Sequence, residues 1–528
     1  MKQYTSIISM LWLLLPCLLI SQTAHAQNPF LPPTAFIADG EPRVFELNGD
    51  KRLFVYGSRD EVITDYCGYG HDVWSAPVND LTQWTNHGEA FHISQIQALG
   101  YGKIEKQQLY APDCVYNPVT KKYYLYVFLG KPYKLDGKEG PLLEDSGLKS
   151  SFENHGPSTF MAESDSPTGP FINTRVCDWP AGSKAGAFDP SVLVLPQDNG
   201  KVRVYAYWGF KKPNGRWAEI SSEDMCTIIN SQTGKKDITS YYTTLNNPEL
   251  NNHSVFFEAS SIRQVAKDKF VFIYSARERT NALTYCYSNS PEGPWTYGGH
   301  IVDNGHNWYM GNNHGSIIEV EGQWYVVYHR RANNDYNRQA MIEPIEVQIE
   351  GDKVIIPQVE MTSQGIYTNG LDAYKRYNAG TICYITRGSH VYASKRVPDG
   401  LNPVIIAGQQ PVIGWKYFNF GTRKVTDSDK LTLRLNAKIL SPVKAHIQVA
   451  LPGNADDATQ RITIADVELK PERSGGKYRE ITIFVKNLNN NASLNAIGGL
   501  KDKLAVFITF DSDDGELCHL KEIEFSKR

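Results

Sequence analysis

The sequence of 528 residues is poor in cysteine, in long apolar runs and in blocks of like charge. Of its eight cysteines, Cys17 lies in an apolar leader, leaving Cys67, Cys114, Cys177, Cys226, Cys286, Cys383 and Cys518. No two of these are spaced C-x-x-C, which argues against a zinc site. An odd, widely scattered set does not describe a disulfide framework, so these cysteines are expected to be buried small apolar side chains. Lys and Arg number 54 against 57 Asp and Glu, with no run of one sign. The balance leaves no electrostatic footprint for nucleic acid or an anionic membrane. Beyond the leader nothing approaches the ~18 continuous apolar residues of a spanning helix, so no membrane insertion is expected. Residues 28 to about 368 also contain no amphipathic helical pattern of 12 or more residues, which excludes a helical core there.

The leader itself reads as a secretory signal over residues 1–26: Lys2, a mostly apolar stretch from Ile7 to Ile20, and Ala24-His25-Ala26 before Gln27. A secreted protein, periplasmic or extracellular, is expected. The length favours two domains. Aromatic residues make up 12% of the chain, with 30 tyrosines. Such side chains serve sugar stacking and all-β cores alike.

A five-fold recurrence organises the first part. Short aromatic-aliphatic runs read RLFVYGSRD (52–60), KYYLYVFLG (122–130), VRVYAYWG (202–209), KFVFIYSAR (269–277) and QWYVVYHRR (323–331). Each follows a titratable residue, Asp39, Asp113, Asp189, Glu258 or His314, which stands 13 to 17 residues before a strand tyrosine. Turn signals precede four of the runs, and the pattern Ser-x-Ser-Pro-x-Gly-Pro recurs at Ser164–Pro170 and Ser288–Pro294. Short strands, regular turns and a long period predict an all-β fold, a five-bladed β-propeller over 27–368. After about 370 strictly alternating strands appear, such as Leu431–Leu435, Ile481–Val485 and Leu504–Phe510, which predict a β-sandwich over 369–528.

A propeller gathers the starts of its innermost strands near one axis. Carboxyls placed there repel, so one stays protonated beside an ionised neighbour, as glycosidic cleavage requires. The same residues suit a calcium site, and an Asp before Pro also caps turns; spacing alone leaves all three open.

The local motifs go further. Asn28-Pro29 with Ala38-Asp39, Ala111-Pro112-Asp113, Phe188-Asp189-Pro190-Ser191-Val192, Phe256-Phe257-Glu258-Ala259-Ser260 and Gly311-Asn-Asn-His314-Gly-Ser316 resemble, in this order, glycoside hydrolase family 43. The resemblance covers roughly 28–350. It implies a five-bladed propeller and an inverting hydrolase of arabinose-, xylose- or sometimes galactose-containing plant polymers. It makes Asp39 the general base, Glu258 the general acid and Asp113 the third carboxylate that tunes and orients the acid. His314 matches a histidine near an axial ion, commonly calcium, with a hydrogen-bonded core histidine as the alternative. Where the family has Asp-Pro at the base, this chain has Asp39-Gly40-Glu41-Pro42, so Glu41 is a second candidate base. Asp189 is read as structural. Arg59, Asp60 and Arg338 are candidate sugar contacts, and Trp74, Trp308 and Tyr110 are candidate stacking walls unless they belong to the core.

The C-terminal stretch is similar to carbohydrate-binding module family 6 at Gly414–Gly421 and Phe507–Asp513. The overall expectation is a secreted α-L-arabinofuranosidase or β-xylosidase. An endo-acting arabinanase, a galactose-releasing member and a non-catalytic glycan-binding propeller are the alternatives. An inverting enzyme should hold its acid and base roughly 6.5–9.5 Å apart.

Overall fold

The computed structural model describes residues 27–61, 66–101, 107–130, 159–179, 187–210, 215–229, 255–277, 279–305, 308, 311–332, 336–392, 401–472 and 476–528. The leader lies outside them. Among the described residues no helix is long and apolar enough to cross a membrane.

Among the described residues the first part holds a two-stranded ribbon of Gln348–Glu350 with Lys353–Ile355 and five antiparallel sheets of three or four strands, each built from strands adjacent in sequence. They comprise β1 (Ile37–Leu47), β2 (Asp50–Arg59), β3 (Gly70–Pro77) and β4 (Thr85–His92); β5 (Leu109–Asn117), β6 (Lys122–Leu129), β7 (Thr159–Ser164) and β8 (Ile172–Cys177); β9 (Ser191–Pro196), β10 (Val202–Trp208) and β11 (Arg216–Ile220); β12 (Phe256–Ala266), β13 (Lys269–Ala276), β14 (Arg279–Ser288) and β15 (Thr296–Asp303); and β16 (Ser316–Val320), β17 (Gln323–Arg331) and β18 (Arg338–Ile345). The five aromatic-aliphatic runs are the second strand of each sheet, where both faces are covered and β-branched and aromatic side chains pack best. The first strands touch in chain order, β1 to β5 to β9 to β12 to β16, and β16 touches β1.

Repeated contacts join neighbouring sheets. The Ser-Pro-x-Gly-Pro segments are the β7–β8 and β14–β15 turns, with Gly169 at φ 80 and Gly293 at φ 83. Tyr56 of the first sheet donates its hydroxyl to the carbonyl of Pro167 in one turn at 2.5 Å. Tyr207 of the third does the same to Pro291 in the other, also at 2.5 Å. The segment before β1 lies along the last sheet: Asn28 donates to the Ile342 carbonyl at 2.9 Å and accepts from the Ile342 N–H at 2.9 Å, and Phe30 N–H reaches the Ala340 carbonyl.

The C-terminal part is two six-stranded sheets. One centres on Val412–Asn419, Lys503–Asp511 and Val443–Ala450, the other on Glu516–Ser526 and Thr432–Ile439. Their facing side chains, among them Trp415, Val506, Leu435 and Ile523, form one core that continues into Tyr285, Tyr328 and Met341 of the first part. Buried Arg330 of β17 crosses this seam, stacking on Trp308 at 4.6 Å and donating to the carbonyls of Gly380 and Ile382.

The cysteines depart from expectation at one place. Cys177, ending β8, and Cys226, after β11, form a disulfide with Cα atoms 5.0 Å apart, while the five other described cysteines are buried and free. A separation of 49 residues hides this pair from sequence spacing, because only the packing of the second sheet on the third brings it together. Closing a loop of this length stabilises by up to ~4 kcal/mol through the unfolded chain. Cys177→Ser is therefore expected to melt several degrees below the parent, and reductant should lower the parent's melting temperature but not the variant's.

Candidate active site

The polar residues at the starts of the first strands fall into two tiers. β1 pairs with β2 from Ala38 opposite Ser58 and then from Glu41 opposite Tyr56, so Asp39 and Gly40 form a bulge. β5 breaks likewise between Tyr110 and Asp113, and β12 between Glu258 and Ser261. Asp39 (φ 54), Asp189 (φ 48) and Ala259 (φ 67) take left-handed backbone at these points, which Asp tolerates better than most residues. Glu41 and Asp113 come just after their bulges, opposite Tyr56 and Tyr126, and so belong to the second tier.

In the first tier, Asp39 Oδ1 and Asp189 Oδ2 lie 3.7 and 3.8 Å from His314 Nδ1. His314 is followed by Gly315 because a Cβ there would stand 2.0 Å from the Val327 carbonyl oxygen. Asp189 accepts the Ala259 N–H at 2.9 Å, beside half-buried Glu258. Burial pushes the Asp189 carboxyl well above its usual range, and the nearby charges of Glu258 and Asp39 add to that. Burial also works to raise Asp39, but Arg338, with His314, His329 and the Ser58 hydroxyl, outweighs it and holds the carboxyl well below the usual range. The Arg338 Nη1–Asp39 Oδ1 distance is 2.8 Å. Burial lowers His314 to about 4, so its ring is neutral at neutral pH.

The second tier is a charge-balanced network. Asp113 accepts two bonds from Arg43 Nη2, at 2.6 and 2.8 Å, and one from the Val192 N–H at 2.8 Å. Glu41 pairs with Arg263 through Oε2 and also takes the Ser261 hydroxyl at 3.2 Å. Burial, against the pull of Arg263, lifts Glu41 to about 7.

The other expected contacts are differently placed. Asp60 is enclosed, and both its oxygens bind Arg338, at 2.9 to 3.0 Å, so it holds the arginine. Arg59 is engaged by Glu61, Asp72 and Glu89, carboxylates that flank it on one end of the first sheet. Trp74 packs among Leu53, Val55 and Leu81. Trp308 is 1% exposed under Arg330, so neither tryptophan presents a face for a sugar. Tyr110 is half-buried beside Phe188 and Phe128, with Phe257 near them, and forms an aromatic wall next to Glu258 in sequence. Sequence reasoning passed over Tyr66, Asn312, His329 and Arg331; the doubled arginine after Tyr328-His329 is the signal that marks the end of β17.

A calcium ion takes six to eight oxygen ligands. Glu41 Oε1 is a buried oxygen without a hydrogen-bond partner, the kind of ligand such an ion would take, and it lies 3.9 Å from His314 Nε2. Among the described residues no group of three or more His, Cys, Asp or Glu side chains could hold an ion, so any ion here would take most of its ligands from water.

Buried carboxyls pushed apart in proton affinity are what acid–base cleavage of a glycosidic bond requires. The family comparison agrees: the model of glycosyl hydrolases family 43 matches residues 41–352, and the chain belongs to that family. It is a glycoside hydrolase. A xylosidase/arabinosidase of Thermoclostridium stercorarium is 32% identical over 393 residues, covering 68% of this chain and 72% of its own. A β-xylosidase of Xylanibacter ruminicola is 26% identical over 361 residues, covering 60% and 96%. The solved arabinoxylan arabinofuranohydrolase of Bacillus subtilis, in complex with cellotetraose, is 18% identical with a TM-score of 0.46, covering 96% of this chain and 99% of its own.

Proposed function

We propose that the protein is a secreted, inverting hydrolase that releases arabinofuranosyl or xylosyl units from plant polysaccharide or its oligosaccharides. The observation that carries this reading is the contrast between Asp39, kept ionised by Arg338, and the Glu258–Asp189 pair, whose like charges favour retaining a proton. Asp39 is the base that takes a proton from the attacking water. Half-buried Glu258 is the acid that protonates the departing glycosidic oxygen. Asp189, not Asp113, is the third carboxylate: it lies against Ala259 and His314, whereas Asp113 is committed to Arg43 in the tier below. Asp113 and Glu41 then serve as struts of that tier.

The five sheets are the blades of a propeller, a reading supported by the sequential contacts of their first strands. The C-terminal sheets are a sandwich akin to carbohydrate-binding module family 6, with domain bounds of 27–368 and 369–528. Their continuous core with the first part supports a bracing role. Glu41 and His314 would hold an axial calcium ion, whose bound form supplies fixed positive charge beside the carboxyls. Export to the periplasm or beyond is supported by the Cys177–Cys226 disulfide, which persists in oxidising compartments.

The test is proton NMR of the first sugar released from nitrophenyl α-L-arabinofuranoside and β-D-xyloside. Release of the anomer opposite to that of the substrate is expected. Retention would place the second carboxylate as a nucleophile and remove this mechanism.

A further inference from the structure

The backbone of Asp39 has a need that its side chain does not meet. The ladder between β1 and β2 skips Asp39, which sits at φ 54 in an enclosed interior with Ala38 and Ser58 fully buried. An amide N–H without a partner there is costly. His329, at the far end of β17, supplies the acceptor: Asp39 N–H donates to its Nδ1 at 3.1 Å. Because Nδ1 accepts, the ring proton is on Nε2, which donates to Asn312 Oδ1 at 2.9 Å. Asn312 Oδ1 also takes Arg331 Nε at 3.3 Å, and Arg331 Nη2 donates to the Tyr66 hydroxyl at 2.7 Å. Tyr66 in turn lies under the Arg338 guanidinium, 5.1 Å from ring centre to Cζ, and Arg338 returns to Asp39 Oδ1. The chain of contacts therefore leaves Asp39 from its backbone and comes back to its carboxylate.

We propose that His329 is a positioning residue for the base: its Nδ1 holds the left-handed backbone that aims the Asp39 carboxylate, while Arg338 holds the carboxylate itself. This rests on the reading of Asp39 as base. The ring has no route to the sugar, being completely buried, and both its nitrogens are committed. A second proton on Nδ1 would set one N–H against another, so the ring acts as a fixed acceptor and not as a proton carrier.

The test uses the full chain with nitrophenyl α-L-arabinofuranoside and β-D-xyloside, comparing the parent with Asp39→Asn, His329→Phe and His329→Asn. Phe fills the space without an acceptor, whereas the Asn side-chain oxygen stands where Nδ1 was. A misplacement of about 1 Å costs about 100-fold in rate, so His329→Phe is expected to lose about that in kcat with KM little changed. His329→Asn is expected to recover most of the loss. Should His329→Phe not fold, His329→Asn is compared with His329→Gln, whose acceptor sits one carbon further out; Asn is expected to be the faster. Parent-like kcat in His329→Phe, or no advantage of Asn over Phe or over Gln, overturns the inference while an inactive Asp39→Asn leaves the base assignment standing. An Asp39→Asn enzyme as active as the parent overturns both.

Discussion

Asp39→Asn is expected to lower kcat by roughly 10²–10⁴-fold on every substrate, the range that positioned acid–base groups supply. Glu258→Gln should lose a similar factor on natural linkages but much less on nitrophenyl glycosides, whose leaving group departs without a proton. That split separates the two carboxyls by role, since water must be activated whatever the leaving group. The pH profile carries the same information. Arg338 keeps the Asp39 carboxyl well below the usual range, so ionisation of the base does not limit activity at mildly acid pH. The basic limb belongs to the Glu258–Asp189 pair, and activity falls as pH rises and the proton they hold between them is lost. Asp189→Asn removes one of two like charges, so this limb is expected to move to lower pH. A profile unmoved in Asp189→Asn, or activity within a few-fold of the parent in Asp39→Asn, refutes the roles proposed.

The second large effect is expected from Arg338→Met. One guanidinium compensates two enclosed carboxylates, Asp39 at 2.8 Å and Asp60 at 2.9 Å. Removing one partner of a buried pair costs about 3–5 kcal/mol, here a melting temperature lower by roughly 10 °C. The sign of the pH dependence should also change. In the parent, Asp39 has a depressed folded-state pKa, so its contribution is present above the ordinary carboxylate value of about 3.9 and is lost as pH falls below it. In Arg338→Met, burial is opposed only by the weaker pull of His314, His329 and the Ser58 hydroxyl, so the carboxyl is expected to take up a proton on folding and stability to be regained as pH falls from neutral. Thermal melts between neutral and mildly acid pH read this directly. A variant melting with the parent at each pH would mean that the ion pair contributes nothing net.

The strand pattern was legible because each second strand is covered on both faces and spells a continuous aromatic-aliphatic run. The repeated Ser-Pro-x-Gly-Pro turns were legible because proline and glycine fix backbone directly. The carboxyl tier was harder. Asp113 reads as one of a set with Asp39, Asp189, Glu258 and His314, yet it stands 13 residues before Tyr126, against 17 between Asp39 and Tyr56. Between the first two sheets that shortfall separates the tiers, since Asp113 and Glu41 both pair directly with those tyrosines whereas Asp39 precedes its pairing position. It does not carry over to the last sheet, where His314 stands 14 residues before Tyr328. Bulges conceal such offsets, because an extra residue leaves no compositional trace. Trp74 and Trp308 illustrate a different limit: a sugar platform and a core filler are the same residue until burial is known. Asp60 and Arg338 read from the sequence as sugar contacts, and only the fold brings them together, across 278 residues, as partners of each other.

Asn28 meets Ile342 across 314 residues of chain, so the contact that fastens the first sheet to the last closes a loop through most of the first part. Its loop-closure entropy is recovered late, and contacts of such long range slow folding. β17 and β18, which carry His329 and Arg338, end that loop, so the enclosure of Asp39 depends on strands from the far side of it. The strand that completes the fastening of the first sheet to the last is thus the one that brings Asp39 its counter-charge.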